Sequence, residues 1–307
     1  MTKTTLLKIK SRCMAKIFPY LTLLIALIMM LGGGHLKEGV KYGLGLSFNN
    51  IIPTLFPFFI LSDFWSCNFV FIKENKKYSS INPYYLNAFI SGAICGFPIG
   101  IKTAVSLYKH SAINKKELER LIGAVNIPSF AFVVFGVGAG LHGDVILGIY
   151  LYFTLLISSA ILLVFFNRNT HNNAKAKEIS RQSFNLVESI KNAAISSITV
   201  SSYVVFFSSL LFLFRSMHTS PALNVAFSSI LEVSNAVSII ANNKNWLGSF
   251  APVVTAFALG FSGFSVHLQA FALLPKETAK GYYLLMKLLQ GILCSAIVLA
   301  YTLIKKG

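Results

Sequence analysis

A succession of apolar runs, at about 43–66, 84–108, 121–141, 145–166, 193–214, 222–241, 249–274 and 282–304, constrains this chain more than any other feature. A membrane-spanning helix takes roughly 20 apolar residues, because the hydrocarbon core of a bilayer is about 30 Å thick. Acidic, basic and histidine side chains inside the runs reduce to Asp63, Lys102, Glu232, His267 and Lys287. Charged residues make up 12% of the 307, about half the roughly 25% of a soluble domain. Mean hydropathy is +0.67. A soluble fold would leave too much of this apolar surface in water. The reading is an all-α polytopic membrane protein of about eight apolar helical segments.

The net charge of +17 lies mostly in gaps between runs: Lys73, Lys76 and Lys77; then Lys109, Lys115, Lys116 and Arg120; then Arg168, Lys175, Lys177, Arg181 and Lys191. That is the pattern of cytoplasmic loops under the positive-inside rule. No basic helix face or RNA-binding motif accompanies it, so nucleic acid is not an expected partner. Cys13, Cys67, Cys95 and Cys294 form neither a CxxC pair nor a Cys/His ligand set. No metal or cofactor is expected. No GxSxG, HExxH or Walker loop is present, and an enzyme is not expected.

Residues 1–41 read as a basic segment followed by an uncleaved first helix over Ile17 to Leu31, with its N-terminus in the cytoplasm. The gap His142-Gly143-Asp144 has no Lys or Arg and is expected outside. The gaps at 73–77 and 109–120 are both basic, so a single crossing by 84–108 would put one of them outside. A re-entrant hairpin removes the conflict, and Gly92-Ala93-Ile94-Cys95-Gly96-Phe97-Pro98-Ile99-Gly100 supplies its bend, since Pro98 cannot sit inside a helix without breaking it. Broken backbone at membrane depth is tolerated only beside protein or a wet cavity. Further interruptions fall at Asn126-Ile127-Pro128-Ser129 and Gly260-Phe261-Ser262-Gly263-Phe264-Ser265. Interrupted segments in two halves point to a transporter's substrate site. Gly96-Phe97-Pro98 parallels Gly260-Phe261-Ser262, and Pro53 to Phe59 is echoed by Ser202 to Phe207. Two related halves are therefore expected, 42–166 and 193–307, joined by a basic cytoplasmic linker over 167–192. The sequence leaves open whether 222–241 spans the membrane or pairs with 249–274 as one hairpin.

Ionisable groups within apolar runs are costly in lipid. Glu232, with Ser228 at i−4 and Asn235 at i+3, is expected to form a polar stripe on one helix: a proton or cation site, a substrate contact, or a carboxyl paired with a base elsewhere. Lys102 lies just past the Gly96–Gly100 bend, where it either meets an anion beside the second arm's N-terminal amides or reaches back to the interface. Asn126 and Ser129 flank Pro128, and Ser262, Ser265 and Gln269 share a helical face while His267 points elsewhere. Asp63 and Lys287 read as helix-end residues. The serines of 193–214 read as helix-packing residues.

Several of these stretches match a known pattern together. Ile52 to Asp63, Cys95 to Lys102, Asn126 to Ser129 with Gly136-Val137-Gly138, Leu231 to Asn235 and Leu259 to Gln269 resemble the sporulation integral membrane proteins of the YlbJ type, which carry the nucleoside-recognition or Gate domain. The resemblance implies two gate-like repeats with re-entrant hairpins, distantly like concentrative nucleoside transporters. It also implies transport of dipicolinic acid across the outer forespore membrane during sporulation. Asn126 follows Val125 where the family's pattern has an Asn pair.

For a small planar dianion, the expected substrate contacts are Gly96, Phe97, Pro98, Gly100, Lys102, Asn126, Ser129, Phe264, Ser265 and Gln269. Phe97 and Phe264 would stack on a ring, and Glu232 with Asn235 would hold a coupling proton or cation. The lipid bilayer is the other partner, and a homo-oligomer is left open. The alternatives are a nucleoside or related metabolite transporter and a non-transporting sporulation assembly or signalling factor.

Overall fold

The computed structural model describes residues 32–68, 83–167, 184–217 and 219–304, with Leu23 and Met30, and every regular element among them is helical. The first helix expected over Ile17 to Leu31, the basic gap 73–77 and most of the expected linker lie outside the described residues.

Helix α1 (Gly33–Leu46) runs through a π-helical turn (Ser47–Ile51) into α2 (Ile52–Asn68). Helices α3 (Pro83–Cys95) and α4 (Ile99–Lys109) fold back on one another at Gly96-Phe97-Pro98. Helix α5 (Lys115–Val125) is separated from a π-helix (Ala131–His142) by non-helical backbone at Asn126–Ser129. Helix α6 is Val145–Asn167 and α7 is Leu186–Arg215. Two short helices follow, α8 (Pro221–Leu231) and α9 (Val233–Asn242). They pack on one another about a joint at Glu232. Helices α10 (Ala251–Phe261) and α11 (Gly263–Leu273) are broken at Ser262, and α12 is Lys280–Ile304. Among the described residues five stretches are long and apolar enough to cross a membrane: Gly33–Leu61, Val145–Phe166, Leu186–Arg215, Lys244–Leu273 and Lys280–Ile304.

Apart from a short helix (Lys244–Leu247) and a 3-10 turn (Gly248–Phe250) in the second half, one element order occurs twice: a long helix, a pair of short helices, a broken helix, a long helix. It runs from α2 to α6 and again from α7 to α12. This places the α3–α4 bend in register with the joint at Glu232, and the break at Asn126–Ser129 in register with that at Ser262. The expected parallel between Gly96-Phe97-Pro98 and Gly260-Phe261-Ser262 is off by one element.

Local chemistry sets the ends of these helices. Asn114 and Glu117 cap α5 reciprocally: Glu117 N donates to Asn114 Oδ1 at 3.0 Å, and Asn114 N to Glu117 Oε2 at 2.6 Å. The side chain of Asn185 accepts from Val187 N and Glu188 N, so α7 begins at Leu186, within the stretch expected as linker. Ser220 and Pro221 start α8 by the same logic. At the second break Ser262 and Gly263 are both left-handed (φ 74°), which costs Gly263 little, while Ser262 donates its Oγ to Leu259 O at 3.0 Å.

Close packing comes from small residues. Gly39 and Gly43, one helical turn apart on α1, lie against Ser208 and Ser209 of α7. A Cβ on Gly43 would sit 2.8 Å from Val205 Cα and Ser208 Oγ. This is the small-xxx-small approach used where lipid removes any hydrophobic drive for helix association. Gly43→Val is expected to lower stability by about 2 kcal/mol, read as a fall in the thermal midpoint of detergent-purified protein.

Candidate functional site

The site is built where folded-back tips meet helix breaks. Gly96, at φ 78°, packs its α-carbon on Ser129, so closely that a Cβ would stand 2.6 Å from Ser129 N and Cβ. Gly92 on α3 and Gly100 on α4 straddle the Val125 carbonyl at the end of α5, and a Cβ on either would collide with that oxygen. Tyr152 of α6 donates its hydroxyl to Ala93 O at 2.6 Å, which satisfies a carbonyl freed where α3 ends. In the second half Gly263 lies beside Glu232, its missing Cβ 3.0 Å from Glu232 N.

Glu232 stands in extended conformation (φ −155°, ψ 125°) and is 2% exposed. Its carboxylate accepts from Ser234 N at 3.0 Å, Asn235 N at 2.7 Å and Asn235 Nδ2 at 2.9 Å, capping α9. Ser208 of α7 in turn donates to Asn235 Oδ1 at 2.9 Å. Among the described residues no base pairs with this carboxylate. The positive end of α9 and three N–H donors offset the cost of burying it. The expected polar stripe on one continuous helix is corrected: the carboxyl ends one helix and begins the next, because a side-chain cap on α9 satisfies more donors than a helical Glu would. The stretch 222–241 is accordingly two short helices.

These breaks enclose a cavity lined by Phe97, Ser129, Phe132, Glu232, Ser234 and Gln269, with Leu55, Val200 and Val266 among its apolar walls. Its water-accessible volume is about 30 Å³, room for about two water molecules. Ser265 is buried and receives Gln269 Nε2 at 3.4 Å.

The other expected residues lie elsewhere. Lys102 is exposed and lines a separate cleft of about 280 Å³ with Asp63, Asn192 and Ser196, where Asn192 Nδ2 donates to Asp63 Oδ2 at 3.3 Å. Phe264 is 41% exposed and stacks edge-on to Phe261 and His267. Asn126 faces away from the cavity lining, donating Nδ2 to Tyr283 OH at 2.7 Å.

Lys287, expected at a helix end, is instead fully buried. Its Nζ donates to the Asn126 carbonyl at 2.8 Å and to Gln290 Oε1, whose amide nitrogen reaches Ser159 Oγ at 2.6 Å. Two turns into α12, it faces the bundle because Met286, Gln290, Gly291 and Cys294 on its side of the helix are buried too. The signal present in the sequence was Lys287 and Gln290 at i, i+3 in an apolar run.

No family model matches the chain, and no solved structure matches it. Among curated proteins, the chain is 22% identical to the sporulation integral membrane protein YlbJ of Bacillus subtilis (strain 168), in an alignment of 317 positions covering 85% of this chain and 76% of that protein.

Proposed function

We propose that this protein is a multi-pass carrier of a small organic anion, dipicolinate, acting in the outer forespore membrane of a sporulating bacterium. The sporulation setting is supported by the similarity to a sporulation integral membrane protein. The carrier reading rests on one observation: Phe97, Ser129, Glu232 and Gln269, from both folded-back joints and both broken helices, meet around one cavity. Interrupted helices in matching places are how transporters present backbone and side-chain groups to substrate at membrane depth.

In this reading α3–α4 and α8–α9 are two re-entrant hairpins and the two halves form an inverted repeat. Phe97 stacks on the pyridine ring, Ser129 and Gln269 hydrogen-bond its substituents, and Lys102 gathers the anion in the outer cleft. Glu232, steadied by Asn235, carries the coupling proton or cation. Room for about two waters makes this the closed state, so the tips must part to admit substrate.

A nucleoside or related metabolite is the second reading, and it is favoured by the lining itself: Ser129, Ser234 and Gln269 are neutral hydrogen-bonding groups, and the lining contains no Lys, Arg or His.

Uptake of labelled dipicolinate into proteoliposomes, with uridine in parallel, separates the two. Dipicolinate uptake that falls at least about tenfold in Gln269→Ala is the expected result, equivalent to about 1.4 kcal/mol. Uridine uptake alone would establish the second reading. Uptake of neither by folded protein would overturn both and favour an assembly role.

A further inference from the structure

Helix α5 stops at Val125 inside the protein, its last turn buried. Lys287 Nζ donates to the Asn126 carbonyl, the first beyond that helix. Asn126 itself is 1% exposed, and its side-chain oxygen has no hydrogen-bond partner. Its Nδ2 donates to Tyr283 OH, which leaves the tyrosine proton free for His267 Nδ1 at 3.3 Å. His267 Nε2 is buried and also unpartnered. Among the described residues no carboxylate pairs with Lys287.

A helix C-terminus carries the negative end of the backbone dipole, and cations are stabilised there. A broken helix at membrane depth commonly hands such carbonyls to a bound metal ion. Here a side chain delivered from α12, 161 residues away, occupies that position. We propose that the Lys287 ammonium is a tethered cation that takes the place of a free metal ion at the first helix break, so that this break needs no sodium or potassium to hold its shape. The positive charge answers the α5 dipole and the Asn126 carbonyl. Gln290 orients it through its bond to Ser159. The inference concerns a different set of groups from the cavity at Glu232 and stands whether or not the substrate assignment does.

The test is thermal unfolding of the full detergent-purified chain, with no transport readout. In Glu232→Gln, which removes the proposed coupling carboxylate, the midpoint is expected to be the same in sodium chloride, potassium chloride and choline chloride at equal ionic strength. Lys287→Ala is expected to lower the wild-type midpoint by about 5 °C or more. n-Propylammonium should recover part of that loss, and n-propanol, which fills the same space without charge, should not. A saturable rise of the Glu232→Gln midpoint with sodium would overturn the proposal, as would equal recovery by the alcohol. If Lys287→Ala does not fold, Lys287→Met keeps the stem and removes the charge. A midpoint equal to wild type in that variant would also overturn it.

Discussion

Gly92→Ala and Gly100→Ala are each expected to cost about 3 kcal/mol or more, near the upper end of overpacking penalties. Both added methyl groups point at one atom, the Val125 carbonyl oxygen, which is backbone at the end of a helix and has little freedom to retreat. Relief requires α3 or α4 to move away from α5, which would pull Gly96 off Ser129 and open the cavity wall at Phe97. Gly45→Ala is the control. A Cβ there meets nothing within 4 Å, and an alanine in a helix interior is expected to stabilise by about 0.5–1 kcal/mol. Thermal midpoints of the three purified variants check this. Equal midpoints for Gly45→Ala and Gly100→Ala would show that α3 and α4 do not clasp the end of α5.

The second large effect is expected at Glu232, where stability and transport separate by choice of variant. Glu232→Ala leaves three N–H donors of a buried helix start without an acceptor, an expected loss of about 3 kcal/mol or more. Glu232→Gln keeps one acceptor oxygen and the shape, so it is expected to fold with a loss of about 1–2 kcal/mol. Uptake by that variant in proteoliposomes should fall at least about tenfold and lose its dependence on pH, since the amide cannot take up and release a proton. An unchanged rate and pH profile in Glu232→Gln would remove the coupling role. A Glu232→Ala protein as stable as wild type would remove the cap.

The parts of this architecture written in Gly and Pro were readable from the chain alone. The bend at Gly96-Phe97-Pro98 and the breaks around Pro128 and Ser262-Gly263 all announce themselves through residues that cannot continue a helix or that tolerate positive φ. The joint at Glu232 gave no such notice. Ser228, Glu232 and Asn235 fit the spacing of one helical face, and Glu is not among the favoured capping residues, so nothing local separates a stripe from a break. That one missed joint also shifted the internal comparison, pairing a folded-back tip with a helix break. Lys287 was misread for another reason. Its partner Asn126 follows α5, and Ser159, which holds its neighbour Gln290, lies on α6; contacts made across more than a hundred residues leave no trace in the spacing of its own helix. Lys102 shows the reverse limit: proximity in sequence to the Gly96–Gly100 bend did not put it in the cavity, because α4 carries it out to the cleft beside Asp63.

In the proposed carrier, the cap at α9 sets a carboxylate of the chain itself where an anion would otherwise bind. The amides of Ser234 and Asn235 are the kind of donors that would hold a substrate carboxylate, and a carboxylate from the same chain already occupies them. Because Glu232 is tethered, its local concentration at those amides is about millimolar at the least, and any free anion must outcompete it there. A ligand with a single carboxylate gains nothing by the exchange, since it replaces one such group with another. In the proposed carrier, affinity therefore comes from contacts other than these amides, at Phe97, Ser129 and Gln269.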